Sequence, residues 1–118
     1  IASHHDFEQT PSPEVMKMLL EKMCAGGADI VKLAVMPQNY KDVLNLLDVT
    51  AQFREENPDT PVITMSMGSL GGISRISGET FGSCVTFGAH EKPSAPGQFA
   101  MKELRQMLDT IHASSQIQ

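Results

Sequence analysis

The sequence predicts an α/β fold of four successive βα units with parallel strands, read as half of a (β/α)₈ barrel. Three observations carry this reading. Short apolar runs alternate with amphipathic stretches in the order β-α-β-α-β-α-β-α, and such alternation implies parallel strands joined by right-handed crossovers. A complete barrel takes about 250 residues, whereas this chain has 118. The first strand-like run opens at Ile1 with no lead-in and no initiator Met, which reads as a piece cut from a longer protein. A small doubly wound sheet fits the same rhythm; the abrupt start favours the half-barrel.

The elements follow in order. Ile1-Ala2-Ser3 is the first strand and runs into His4-His5-Asp6. Ser12 can cap a helix whose first residue is Pro13. Val15, Met18, Leu19 and Met23 then recur at helical spacing until Gly26-Gly27 stops it. Ile30 to Met36 is the second strand. A helix from Tyr40 to Glu56 shows Val43, Leu44, Leu47 and Phe53 on one side and ends at Asn57-Pro58. Val62 to Met67 is the third strand, and the Gly-rich stretch from Gly68 to Gly82 has room for a short helix. Cys84 to Ala89 is the fourth strand. The last helix covers about Ala100 to His112, with Met101, Leu104, Leu108 and Ile111 facing inward. A polar tail, 114–118, is expected to fray.

Composition excludes several functions. A net charge of −5, with nine scattered basic residues, argues against a nucleic-acid surface, which needs clustered Lys and Arg. No apolar stretch approaches the roughly 18 residues of a membrane span. Cys24 and Cys84 sit among apolar or small residues and read as buried free thiols in a reducing compartment, so a cytoplasmic location is expected.

In parallel α/β folds the chemistry lies at the C-terminal ends of the strands. Lys32 stands among apolar residues in Ile30-Val31-Lys32-Leu33-Ala34-Val35-Met36. Burial of its ammonium would lower the pKa from about 10.4 and make the amine a nucleophile toward ketones. A snorkelling or salt-bridged lysine is the alternative. His5 is placed to act as general acid and base near neutral pH, or is structural. Strand alternation puts Ser3 and His5 on one face and His4 and Asp6 on the other, which speaks against a metal site built on the His-His-Asp run. Met65 and Met67 share a face, as core or as pocket wall. Arg75 can clamp a carboxylate with its planar fork, or lie solvated in a loop. The segment Ser94-Ala95-Pro96-Gly97-Gln98 reads as a lid or a connector.

Six segments together resemble the type I 3-dehydroquinate dehydratases. They are Ser3-His4-His5-Asp6-Phe7 with Gln9-Thr10-Pro11, Ala28-Asp29-Ile30-Val31-Lys32-Leu33-Ala34-Val35-Met36-Pro37, Val62-Ile63-Thr64-Met65-Ser66-Met67, Gly72-Ile73-Ser74-Arg75, Phe81-Gly82-Ser83 and Ser94-Ala95-Pro96-Gly97-Gln98. They span nearly the whole chain without evident gaps. The resemblance implies the C-terminal half of a (β/α)₈ TIM barrel. It also implies a lyase that converts 3-dehydroquinate to 3-dehydroshikimate in the shikimate pathway of aromatic amino acid biosynthesis, with no metal or organic cofactor. By the same resemblance Lys32 forms the imine, and His5 removes the C2 proton and protonates the departing C1 hydroxyl. Arg75 holds the substrate carboxylate, Ser94 and Gln98 close over it, and Met65 and Met67 line the ring pocket. His4 stands where many relatives carry Asn. The family also draws pocket residues from the first half of the barrel, so the piece alone is expected to be impaired.

Two other readings are carried beside this one: another class I Schiff-base barrel such as an aldolase, and a non-catalytic half-barrel. The polar end after His112 favours a monofunctional parent. Exposed strand edges in a half-barrel invite pairing with a second copy, so a homodimer or higher assembly is expected.

Overall fold

The computed structural model describes residues 1–76, 83 and 99–115, the side chains of residues 75, 76 and 115 excepted. Three parallel strands, β1 (Ala2–Asp6), β2 (Val31–Val35) and β3 (Val62–Ser66), lie in the order β1-β2-β3. Between them run α1 (Pro13–Ala25) and α2 (Tyr40–Glu56). A 3-10 turn (Ser69–Gly71) leads into a short helix, α3 (Gly72–Ile76), and α4 spans Met101–Ser115. The strand expected at Cys84 to Ala89 lies outside the described residues. Ser83, just before it, forms a parallel bridge to Val62.

Local signals set the boundaries. Ser12 accepts the amide of Val15 and Pro13 fills the first helical position, so α1 starts where its unpaired donors can be satisfied. Its end is a Schellman turn: Ala28 N–H reaches Met23 C=O at 3.2 Å and Gly27 N–H reaches Cys24 C=O at 3.1 Å. Gly27 supplies the positive φ of 89° that this turn requires. Asn39 caps α2 by accepting the amide of Asp42. First strands fray in isolation, yet β1 extends to Asp6, three residues past the expected end at Ser3. The reason is that every residue from Ala2 to Asp6 is in register with Val31 to Val35 of β2.

One face of the sheet is closed by α1 and α2. Val31, Leu33, Val35 and Val62 pack with Met16, Leu20, Leu46, Val49 and Phe53 in a single buried cluster, the main apolar contribution to stability. Inside it, the buried hydroxyls of Thr50 and Thr64 pair at 2.8 Å, and Thr50 also reaches Leu46 C=O. The helices turn inward by slightly different stripes than expected. Met16 and Leu20 are the buried residues of α1, while Val15 and Met18 are exposed; Leu44 of α2 and Met101 of α4 are also exposed. Lys17 and Glu56 join α1 to α2 on the surface at 3.0 Å. The hydrogen bond and charge of Glu56 raise the lysine's pKa, so the pair's small stabilisation is present below the ordinary lysine value and lost as pH rises through the raised one.

The turn after β3 is pressed against the strand. A Cβ on Gly71 would lie 1.7 Å from the carbonyl oxygen of Ser66, so only glycine permits this approach. Gly71→Ala is expected to force the turn off β3 and cost at least about 1–3 kcal/mol, read as a lower urea midpoint with an unchanged slope.

Candidate active site

The face of the sheet opposite α1 and α2 carries the candidate chemistry. Because partners in a parallel register point the same way, Ser3, Lys32 and Ile63 form one row across the three strands. His5, Ala34 and Met65 form the next row toward the C-terminal ends. Strand spacing puts the Cα atoms of Lys32 and His5 about 8 Å apart, two residues along and one strand across. Ala34, lying between His5 and Met65, is the small side chain that leaves room above Lys32. Ala34, Ile63, Met65 and Met67 cluster here, with Ile30 and Met36 against them. Lys32, His5, Met65 and Met67 are thus brought to one face, and His4 to the other.

Burial changes steadily across this face. On β3, Ile63 and Met65 are 4% and 5% exposed; on β1, Ser3 and His5 are exposed. Lys32, between them, is half-buried. The sequence led us to expect an enclosed lysine, and the structure corrects this. The apolar neighbours in Lys32's own strand, Val31 and Leu33, point to the opposite face, and its neighbour on β1 is the small, exposed Ser3. The site is closed on its β3 side and open on its β1 side. Cys24 is likewise only half-buried, its Sγ 3.4 Å from Thr60 Oγ1. Cys84 lies outside the described residues.

Arg75 follows directly on the clamp at the end of β3. The Ser74 hydroxyl accepts Ser66 N–H at 2.9 Å and lies within donor range of the Ser66 and Gly71 carbonyls, at 3.2 and 2.7 Å. Ser83 does the same one pair lower: its hydroxyl accepts Thr64 N–H at 3.0 Å and donates to Thr64 C=O at 3.3 Å. Two serine side chains thereby satisfy edge groups of β3. The backbone of Arg75 is placed in α3 beside the strand end, while its side chain, and all of Ser94 and Gln98, lie outside the described part.

Sequence reasoning passed over Phe7. Its ring stacks on His5, with centroids 6.0 Å apart and planes 10° from parallel. The i, i+2 spacing of His5 and Phe7 on a strand was the available signal. Among the described residues, no three His, Cys, Asp or Glu side chains gather as a metal site. An open groove along α4, lined by Phe99, Glu103, Met107 and Ile111 among others, lies apart from this face.

Comparison with known proteins bears on the whole chain. The family described as type I 3-dehydroquinase matches residues 1–115. A 3-dehydroquinate dehydratase of Clostridium novyi is 53% identical over 112 residues, covering 95% of this chain and 44% of that protein. The crystal structure of the 3-dehydroquinate dehydratase from Geobacillus kaustophilus superposes with a TM-score of 0.90 at 42% identity, covering 94% of this chain and 43% of that one. The type I enzyme from Clostridium difficile, solved with covalent modified comenic acid, gives 0.89 at 51% identity, covering 95% and 44%. The chain therefore spans less than half the length of the relatives it matches, as a C-terminal half-barrel does.

Ser74→Ala is expected to leave the Ser66 amide buried without a partner and to cost about 1–3 kcal/mol. Chemical denaturation of the variant checks it; an unchanged midpoint would mean that the hydroxyl carries no share of the strand-end geometry.

Proposed function

The chain belongs to the type I 3-dehydroquinase family, and from that premise we propose that it supplies the C-terminal half of the catalytic barrel of a 3-dehydroquinate dehydratase. The observation that carries the proposal is the shared face of Lys32 and His5, one row apart in a parallel sheet. An amine and an imidazole at this separation bracket a small cyclic ketone. The relative solved with a covalent modified ligand supports covalent chemistry in this fold.

In this reading Lys32 Nζ adds to the C3 carbonyl and loses water to form an imine. The protonated imine is an electron sink, which makes the neighbouring C2 proton removable by a neutral imidazole. His5 takes that proton, the electron pair enters the conjugated system, and the C1 hydroxyl leaves as water on receiving a proton from His5. Hydrolysis of the product imine returns Lys32 and releases 3-dehydroshikimate. Arg75 would hold the carboxylate, and Ser94 and Gln98 would close the site. Met65 and Met67, buried on the same face of the sheet as Lys32, would keep water from the ring. The chemistry asks for no metal or organic cofactor.

Residues 1–118 then form one half of a single catalytic domain. The open side along β1 is where residues of the other half would complete the pocket, so the chain alone is expected to dehydrate poorly. The same open edge would pair with a second copy, and sedimentation at micromolar concentration should give a homo-oligomer; a stable monomer would remove that part of the proposal. Among the described residues no helix is long and apolar enough to cross a membrane, and a cytoplasmic enzyme with a small-molecule substrate is the reading we favour.

In the whole enzyme, Lys32→Ala should abolish nearly all turnover and the trapping of an imine by borohydride in the presence of 3-dehydroquinate. Turnover that survives the substitution would move the nucleophile elsewhere. His5→Ala should slow elimination by about 10²–10⁴ while imine formation stays detectable, and near-normal rates would remove His5 from the mechanism.

A further inference from the structure

We propose that Thr10 and Gln38 are positioning residues that clasp the loop after β1 onto the end of β2 and thereby orient His5, through Phe7, over Lys32. The proposal rests on the dehydratase reading and concerns the same site.

Regular pairing of β1 with β2 stops at Asp6 and Val35. The Asp6 carboxylate turns the chain there, its Oδ1 accepting the amides of both Glu8 and Gln9 at 3.0 Å. This local bond set is what an aspartate at a turn provides. Met36, the next residue of the second strand, would then lose its partners. It regains both from the returning loop: its N–H donates to Gln9 C=O at 3.3 Å, and its C=O accepts from Thr10 Oγ1 at 2.8 Å. The chain from Phe7 to Thr10 thus loops out and is tied back to the strand it left.

A second strut comes from the loop after β2. Gln38 Nε2 donates to Glu8 C=O, and the Gln38 backbone amide is held by Asp42 Oδ2 at 2.8 Å. Asp42 lies in the first turn of α2, whose N-terminus Asn39 caps. A line of contacts therefore runs from the packed helix α2 through Gln38 and Glu8 to Phe7. Phe7 is 57% exposed, so the packed core does not hold it; the loop does. Its ring in turn stacks on the exposed imidazole of His5. Releasing either strut frees the loop that carries Phe7, and the imidazole gains rotational freedom over Lys32. Lys32 itself stays fixed by the central strand.

This predicts a split between two chemical steps. Imine formation depends on Lys32 and should persist; proton removal depends on the imidazole's aim and should suffer. A misplacement on the order of 1 Å costs up to about a hundredfold in rate. The test uses the whole enzyme with Thr10→Val, which keeps shape and removes the donor, with Thr10→Ser, and with Gln38→Met. Each is mixed with 3-dehydroquinate, reduced with borohydride and weighed, and kcat and KM are measured separately. Thr10→Val and Gln38→Met should lower kcat by about ten- to a hundredfold with little change in KM. The trapped adduct should shift from the product imine, lighter by one water, toward the substrate imine. Thr10→Ser should restore both. If Thr10→Val fails to fold, the exposed Gln38 still decides the matter. Normal kcat and an unchanged adduct ratio in Gln38→Met would overturn the clasp. So would a loss in Thr10→Val that Thr10→Ser does not restore. An unsubstituted enzyme that forms no adduct and no product would instead overturn the dehydratase reading on which the clasp rests.

Discussion

Strand register is the constraint on which the rest of this molecule depends. Lys32 can face the site only because Val31, Leu33 and Val35 face α1 and α2, and a strand alternates its side chains with a period of two. A slip of one residue in β2 would bury the ammonium among Leu20, Leu46 and Phe53 and turn the valines outward. The hydrophobic cluster thus does more than stabilise the sheet. It selects the one register in which Lys32, His5 and Met65 share a face, so packing energy is converted into the placement of reactive groups.

Side chains help to fasten the ends of the strands. The Ser74 and Ser83 hydroxyls bond to the backbone of β3, and the loop after β1 ties itself to Met36. Such bonds cost little sequence and leave the surrounding loops to carry function, the usual division of labour in parallel α/β folds. Gly71 belongs to the same arrangement, since the close approach to Ser66 that it permits carries Ser74 to the strand end and brings the backbone of Arg75 with it.

Much of this was legible in the residues. The strand cores and the limits of α2 followed from apolar runs and from Asn57-Pro58, signals that act within a few residues. The inward stripes of α1 and α4 were harder. Val15, Met16, Met18, Leu19, Leu20 and Met23 make α1 apolar on more than one side, and only the packed sheet decides that Met16 and Leu20 go in. The shared face of His5 and Lys32 needed the register, which alternation within each strand implies once parallel pairing is assumed. The half-burial of Lys32 did not follow, because it reflects the neighbouring Ser3 and not the lysine's own strand. Contacts such as Thr10 with Met36 join residues far apart in sequence, and no local pattern announces them.

The central claim is that the nucleophile is Lys32, held on the face shared with His5. Peptide mapping after borohydride reduction in the presence of 3-dehydroquinate tests it most directly. A single adduct on the peptide carrying Lys32, with the remaining lysines unmodified, is the predicted result. An adduct on Lys17, Lys22 or Lys41, which lie in the helices on the other side of the sheet, would contradict the account.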